Sequence, residues 1–305
     1  MRVLVTGAHG FVGRWLTSEL EAAGHLVVPA PSHTELDFGA SPDLSPLIRD
    51  ARPDAIAHLA AVSFGPDAER DPGRARAVNA GGTQSLFDGL DRTGSSSPVL
   101  VTSSSEVYGT QAQLPIAEDA ALLADREYGR SKIEQERVSL EAQRRGRRVI
   151  VVRAFNQVGP GQRPEFVAPA FARRVLAVKR GEAADIPVGN IDVRRDFTDV
   201  RDVVRAYRLL LEALAVGRSI EGLEPPVVNV GSGRSVAIRD VLATLCEAAG
   251  VPMTTRVDPT FLRQDDMPDA YADITRLRRL ITWTPEIPLE RSLADLLASL
   301  EAEPA

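Results

Sequence analysis

Thr6-Gly7-Ala8-His9-Gly10-Phe11-Val12-Gly13 joins a β-branched run over residues 2–6 to a helical pattern over 11–23 that Gly24 ends. The glycine spacing differs from the common dinucleotide fingerprint, but the mechanics are the same. One glycine permits a tight turn, one lets backbone N–H groups approach a pyrophosphate, and one lets helix pack closely on strand. The helix N-terminus then faces the phosphates. A merely tight strand-to-helix turn is the alternative. The flanking strand and helix favour dinucleotide binding, with Gly7, His9, Gly10, Phe11, Val12 and Gly13 along the cofactor; His9 also reads as a simple lining residue.

Outward from this turn, β-branched runs at 25–30, 54–59, 98–103 and 149–154 alternate with helical patterns, of which 75–90 and 127–145 are the clearest. Such alternation specifies a parallel sheet with crossover helices. Near-continuous apolar strands suit a sheet covered on both faces. After Phe155 the turn-rich Gly159-Pro160-Gly161-Gln162-Arg163-Pro164 breaks the pattern. A helix over 202–214 follows, with Asp199 or Asp202 placed to cap it, then a strand over 226–230, a helix over 238–249, a polar irregular stretch over 255–269 and a helix over 289–300. The fold class is α/β. A doubly wound parallel sheet of Rossmann type takes residues 1–158, with 196–232 returning to it. Residues 159–195 and 233–305 form a smaller C-terminal α/β substrate lobe.

The 305 residues carry a net charge of −6, with 44% apolar and 26% charged side chains. That acidic balance gives no bulk attraction for nucleic acid or an anionic membrane, and the arginine-rich stretches 144–148 and 276–279 read as solvated helix ends. No run approaches the length of a bilayer span, and the first strand begins too early for a signal-peptide core. The single Cys246 cannot form an internal disulfide, which fits a reducing cytoplasm. It sits in an apolar helix pattern, as a small buried hydrophobe would. His9, His25, His33 and His58 lack ligand spacing, so no metal is expected. Trp15 and Trp283 read as core or lobe-packing residues.

The second strand ends in Ala30-Pro31-Ser32-His33, with no acid before Glu35. An acid there accepts the ribose 2′-hydroxyl of NAD, whereas a cation or small polar residue tolerates a 2′-phosphate. Ser32, with Arg14 one residue past the glycine turn, favours NADP, NAD remaining possible. Ser32 and His33 are equally readable as plain loop residues.

Tyr128 and Lys132 stand four apart, on one face of a helix. A phenol titrates at about pH 10, and a nearby ammonium favours its ionised form. Lysine suits the task because its compact charge offers three donors that also hold a ribose. Of 36 basic residues only Lys132 and Lys179 are Lys, so a random cation here would have been Arg. This favours a catalytic pair over an ordinary surface pair. Thr102-Ser103-Ser104-Ser105-Glu106-Val107-Tyr108-Gly109 closes the fourth strand at the sheet edge that carries the glycine turn, where ligands of such sheets gather. A hydroxyl there can polarise a substrate carbonyl.

Together these motifs resemble the extended short-chain dehydrogenase/reductase (NAD-dependent epimerase/dehydratase) family over nearly the whole chain. His58-Leu59-Ala60-Ala61, Asn79-Ala80-Gly81-Gly82-Thr83, Arg153-Ala154-Phe155-Asn156 with Gly159-Pro160-Gly161-Gln162, and Arg195-Asp196-Phe197-Thr198-Asp199-Val200 extend the likeness. It implies that Ser104 binds the carbonyl, that Tyr128 exchanges the proton with Lys132 as its partner, and that Leu59, Ala60, Ala61 and Asn79 lie along the cofactor. It also implies an Asp37 contact to adenine and a homodimer built from the helices at 75–90 and 127–145.

Glu165-Phe166-Val167-Ala168-Pro169-Ala170-Phe171-Ala172, Arg194 to Asp202, and Val257-Asp258-Pro259-Thr260-Phe261-Leu262-Arg263 are most similar to family members that reduce the C4 ketone of GDP-4-keto-6-deoxyhexoses. That likeness implies a nucleotide-sugar substrate held by Ser104, Ser105, Glu106, Asn156, Val167, Arg195 and Arg263, with bidentate arginine contacts apt for a diphosphate. It implies GDP-rhamnose or its C4 epimer as the product. Glu106 keeps a second reading open, because the 4,6-dehydratases carry a glutamate at the matching position. A dehydratase or 4-epimerase retaining its dinucleotide is thus the alternative, and a non-catalytic dinucleotide sensor is a third reading that needs the glycine turn without the Tyr/Lys pair.

Overall fold

In the computed structural model, which describes residues 1–217, 223–262 and 267–302, the first half runs β1 (Arg2–Thr6), α1 (Phe11–Ala22), β2 (Leu26–Pro29), α2 (Ser45–Ala51), β3 (Ala55–His58), α3 (Gly65–Arg70), α4 (Pro72–Arg76), α5 (Gly82–Thr93), β4 (Val99–Ser104), α6 (Glu127–Arg144) and β5 (Val149–Ala154). There follow β6 (Asn156–Val158), α7 (Val167–Lys179), β7 (Ile186–Val188), β8 (Arg194–Arg195), β9 (Phe197–Asp199) and α8 (Val200–Ala215). The chain closes with β10 (Val227–Val230), β11 (Val236–Ala237), α9 (Ile238–Ala249), β12 (Thr255–Val257), β13 (Asp269–Ala270), α10 (Thr275–Leu280) and α11 (Leu289–Glu301). No helix among the described residues is long and apolar enough to cross a membrane.

Six parallel strands form the main sheet in the order β2-β1-β3-β4-β5-β10. The order reverses between β1 and β3, which opens a crevice at their carboxyl ends. Alternate side chains enter opposite cores. Val3, Val5, Ala57, Leu100, Ile150 and Val152 join Leu16 and Leu20 of α1 and Val203, Tyr207 and Leu211 of α8 on one face. Leu4, Ile56, Val99, Val101 and Val151 meet Ile48, Leu86, Phe87 and Leu90 on the other. Two covered faces explain why the middles of these strands are apolar on both sides.

Several elements depart from the sequence reading. The helix expected over 75–90 is three pieces: α4, a π-helical turn Ala77–Gly81, and α5. The widened turn buries both Val78 and Asn79, and Gly82 lies so close to Phe38 that a Cβ would approach it to 2.8 Å. Within the polar stretch 255–269, β12 pairs with β7 and β13 with β8, so backbone pairing orders what lacks apolar periodicity. The lobe assignment of 233–305 also needs correction. Ala270, Ala272, Ile274, Leu277, Ile281 and Trp283 pack into the core of the main sheet, while α7, α9 and α11 share a separate core.

Three aspartates spaced three apart hold these layers together. Asp196, fully buried, accepts from Ser232 N (2.7 Å) and its hydroxyl (2.6 Å), Gly233 N (3.0 Å) and Ala272 N (3.1 Å). Asp199 caps α8 at Arg201 N and accepts from the Ser292 hydroxyl of α11. Asp202 is not the cap. It accepts from Glu286 N (2.9 Å) and Ile287 N (2.8 Å), while its carbonyl receives the indole N–H of Trp283 (3.0 Å). One strand-to-helix corner thus fastens three distant segments. Asp196→Ala leaves several buried donors unpaired and is expected to cost about 3 kcal/mol or more. Urea unfolding checks this, and a loss below about 1 kcal/mol would show that the corner does not depend on it.

Candidate active site

A cleft of about 1230 Å³ opens along the carboxyl ends of the central strands, above the volume usual for a single drug-sized ligand. Gly7, His9, Gly10, Phe11, Val12, Gly13 and Arg14 line it, together with Ser32, Asp37, Leu59, Ala60 and Ala61. Ser104, Ser105, Glu106, Tyr128 and Lys132 lie on its wall, as do Asn156 of β6 and Val167 and Arg195 from the lobe. Arg263 lies outside the described residues. Asn79 is the one described candidate that does not reach the cleft. It is fully buried, exchanges hydrogen bonds with Val62 N and O, and donates to the Ser131 hydroxyl. It therefore fixes the loop after β3 from behind.

The glycine turn fits a dinucleotide by its lack of side chains. Gly7 has φ +70°, and a Cβ on Gly13 would lie 2.1 Å from the Gly7 carbonyl. Arg14, expected near the end of β2, instead donates to His9 O (3.0 Å) and Gly161 O (3.2 Å). The cation at that end of the cleft is Arg74, paired with both oxygens of Asp37 at 2.9 and 2.6 Å, which holds the Asp37 carboxyl below its usual range. The chain also folds Glu35 back, so that its carboxylate accepts from Ser32 N (3.0 Å) and the Ser32 hydroxyl (2.8 Å). The β2 end therefore carries an acid after all, brought there by a turn that sequence distance concealed.

Ser104 closes β4 and caps the short 3-10 turn Ser105–Tyr108, accepting from Glu106 N at 3.2 Å. Gly129 lets α6 press on this turn, since a Cβ there would lie 2.5 Å from the Glu106 carbonyl. That close approach brings Tyr128 to Ser104. Lys132, 2% exposed, donates to Thr102 O (3.0 Å) and Gln135 Oε1 (2.7 Å).

Behind it a chain of bonds fixes the tautomer of His58. The Thr83 hydroxyl donates to Asn79 O (2.6 Å) and receives Gln135 Nε2 (3.0 Å), so His58 Nε2, 2.9 Å away, must donate to it. His58 Nδ1 then accepts from the Thr6 hydroxyl (2.8 Å), whose oxygen takes Leu59 N and Ala60 N (both 3.2 Å). This imidazole is neutral, its pKa lowered to about 3 by burial and by the Lys132 charge.

The electrostatics overturn one expectation. Burial pushes the Tyr128 phenol up to about 12, with the Ser104 hydroxyl opposing and Glu106 adding to the rise. Lys132 is not among the causes acting on this phenol; its amine donates to Thr102 O and Gln135 Oε1. Burial draws Lys132 itself down to about 7, against the pull of Glu136. Glu136 is held by Arg153 through two bonds of 3.0 and 2.8 Å.

A family model described as the NAD dependent epimerase/dehydratase family matches residues 3–231. The chain belongs to that family. It is similar to the GDP-6-deoxy-D-mannose reductase of Pseudomonas aeruginosa, with 36% identity across 99% of this chain and 97% of that protein. Its identity to the GDP-6-deoxy-D-talose 4-dehydrogenase of Aggregatibacter actinomycetemcomitans is 28%, covering 92% of this chain and 91% of that one. Among solved structures it is similar to RMD from Pseudomonas aeruginosa complexed with NADPH, with a TM-score of 0.88, 35% identity and 99% of both chains covered.

The cleft of this family member also takes residues to which the sequence reading gave no site role. Tyr207 lines it from the buried face of α8, where its spacing marks only a core position. Phe64 and Phe166 meet edge to face at 5.1 Å, with Arg163 over Phe64 at 4.9 Å and paired to Asp67 at 2.9 Å. These contacts join the two walls. No local pattern signals them, because each pair is about a hundred residues apart in the chain.

Lys132 is charged below about pH 7 and neutral above it in this environment. Cofactor-dependent turnover that needs the ammonium is therefore expected to fall as pH rises through about 7, by about ten-fold per unit in kcat/KM. A profile flat to about pH 9 would mean that the charge is not required.

Proposed function

We propose that the cleft reduces the C4 ketone of a GDP-4-keto-6-deoxyhexose, using NADPH in preference to NADH. The observation that carries this reading is the convergence of Ser104, Tyr128 and Lys132 on one wall beside the glycine turn. When bound, the dinucleotide supplies a hydride to C4. The Ser104 hydroxyl accepts from Glu106 N, so its own proton is available to the ketone oxygen. Tyr128 keeps its proton throughout the neutral range, since its pKa is pushed up to about 12, and a held proton is what the acid of a reduction must deliver. Lys132 is held by neutral oxygens of Thr102 and Gln135, which leaves the ammonium donor capacity for a ribose. Asn156, Val167 and Arg195 would hold the nucleotide sugar, whose remote contacts position the reacting carbon.

A 4,6-dehydratase or 4-epimerase is the second reading, favoured by the presence of Glu106 on the same wall. The similarity to a GDP-6-deoxy-D-mannose reductase weighs against it. Purified protein is expected to consume NADPH with GDP-4-keto-6-deoxymannose and to leave GDP-mannose unchanged. Tyr128→Phe should lower kcat by about a hundred-fold or more while still binding NADPH. Formation of a 4-keto sugar from GDP-mannose without added cofactor would overturn the reductase reading.

Cofactor choice turns on Ser32. Its N–H and hydroxyl are the donors a 2′-phosphate would use, and Glu35 occupies both. Removing that internal negative charge weakens its hold on both donors and its repulsion of a 2′-phosphate, so Glu35→Gln is expected to tighten NADPH and to change NADH little or weaken it. Titration of the reduced cofactors by nicotinamide fluorescence checks this; an unaltered NADPH to NADH ratio would exclude Glu35 from the choice.

A further inference from the structure

Part of the cleft is built from lobe elements alone, apart from the glycine turn and the Tyr/Lys pair. There Arg174 of α7 lies 4.2 Å from the centroid of Phe261 and 5.7 Å from that of Phe171. Phe171 is buried, but Phe261 is 43% exposed, an aromatic ring that the guanidinium covers only in part on the wall of a binding cleft. Gly189 follows β7 and lies directly under Phe261, since a Cβ on it would approach the Phe261 carbonyl to 2.3 Å. The absence of a side chain there lets the aromatic segment close on β7. One Arg174 N–H goes to Pro187 O at 2.8 Å, which fixes the guanidinium without neutralising it. Asp258, the carboxylate that acts on Arg174, accepts from Thr260 N (2.9 Å) and the Thr260 hydroxyl (2.6 Å).

We propose that Arg174 and Phe261 form the base-reading end of the cleft and select guanine. The inference rests on the reading of the substrate as a nucleotide sugar and names what distinguishes its base. A planar guanidinium presents paired donors, and guanine is the base that offers two adjacent acceptors, O6 and N7, on one edge. Adenine sets an amino donor beside N7, so the same fork meets a donor. Uracil and thymine have no N7. The part of the Phe261 ring that Arg174 leaves uncovered packs, offset, under any base held in the plane of the guanidinium and supplies affinity without choice. Arg174 supplies the choice, and a lysine in its place would keep the charge and lose the fork.

Isothermal titration of the full-length protein with GDP, UDP and ADP tests this. Wild type is expected to bind GDP about ten-fold or more tightly than UDP and ADP. Arg174→Gln and Arg174→Lys should both bring GDP to the level of UDP, with UDP changed little. NADPH titration of each variant verifies that the glycine-turn end is folded. Phe261→Ala should weaken all three nucleotides together. The inference fails if Arg174→Gln weakens GDP, UDP and ADP by one common factor, which marks a phosphate contact, or if Arg174→Lys keeps the GDP preference, which marks a charge alone. Wild type that prefers UDP overturns the GDP reading itself. Wild type that prefers GDP with or without Arg174 overturns only the role given to this residue.

Discussion

The structure is organised around a lysine ammonium taken out of water. Lys132 is almost wholly buried, and its hydrogen-bond partners, Thr102 O and Gln135 Oε1, are neutral. Desolvation therefore outweighs the pull of Glu136 and lowers its pKa, as expected of a buried cation without a carboxylate in contact. What surrounds it is arranged to keep its two acceptors still. Gln135 is fixed by Thr83, Thr83 by Asn79 and His58, and His58 by Thr6. The same Thr6 oxygen holds the N–H groups of Leu59 and Ala60. Amine placement and the shape of the loop after β3 are thus set by one continuous set of buried bonds. A fully satisfied network of this kind is rigid because each member has its donors and acceptors assigned.

A second constraint brings the lobe over this floor. The corner from β9 into α8 uses Asp196, Asp199 and Asp202 to receive donors from the loop after β10, from α11 and from the segment before α11. Each carboxylate satisfies backbone or hydroxyl donors that would otherwise be stranded, so the lobe's position follows from polar satisfaction as much as from apolar packing. Across the cleft, the Phe64–Phe166 and Arg163–Asp67 contacts complete the second wall.

Much of this was readable in the residues, and the errors are instructive. The glycine turn, the strand alternation and the Tyr128/Lys132 spacing all depend on local geometry, which a short window contains. The spacing of Lys132 gave no sign of its depressed pKa, because same-face spacing on α6 fixes where a side chain starts and leaves open where its amine ends and how deeply it is buried. Arg14 misled in the same way: its neighbours in sequence are the glycine turn, but its guanidinium reaches the Gly161 carbonyl. Glu35 looked too far along the chain to matter, yet a tight turn returns it to Ser32. Asn79 was assigned to the cofactor, and a π-helical turn that no periodicity announces carries it beneath the loop instead.

The amino-acid order alone therefore determined the parallel sheet, the glycine turn and the same-face Tyr128/Lys132 pair, because each is written in contacts between residues a few positions apart. Tertiary structure decided the protonation of those side chains, the route of the chain back to the sheet at Ala270–Trp283, and the composition of the far cleft wall. Burial and dielectric are properties of the assembled molecule, and the atoms that desolvate Tyr128 or stack on Arg174 come from segments that meet only when the fold is complete.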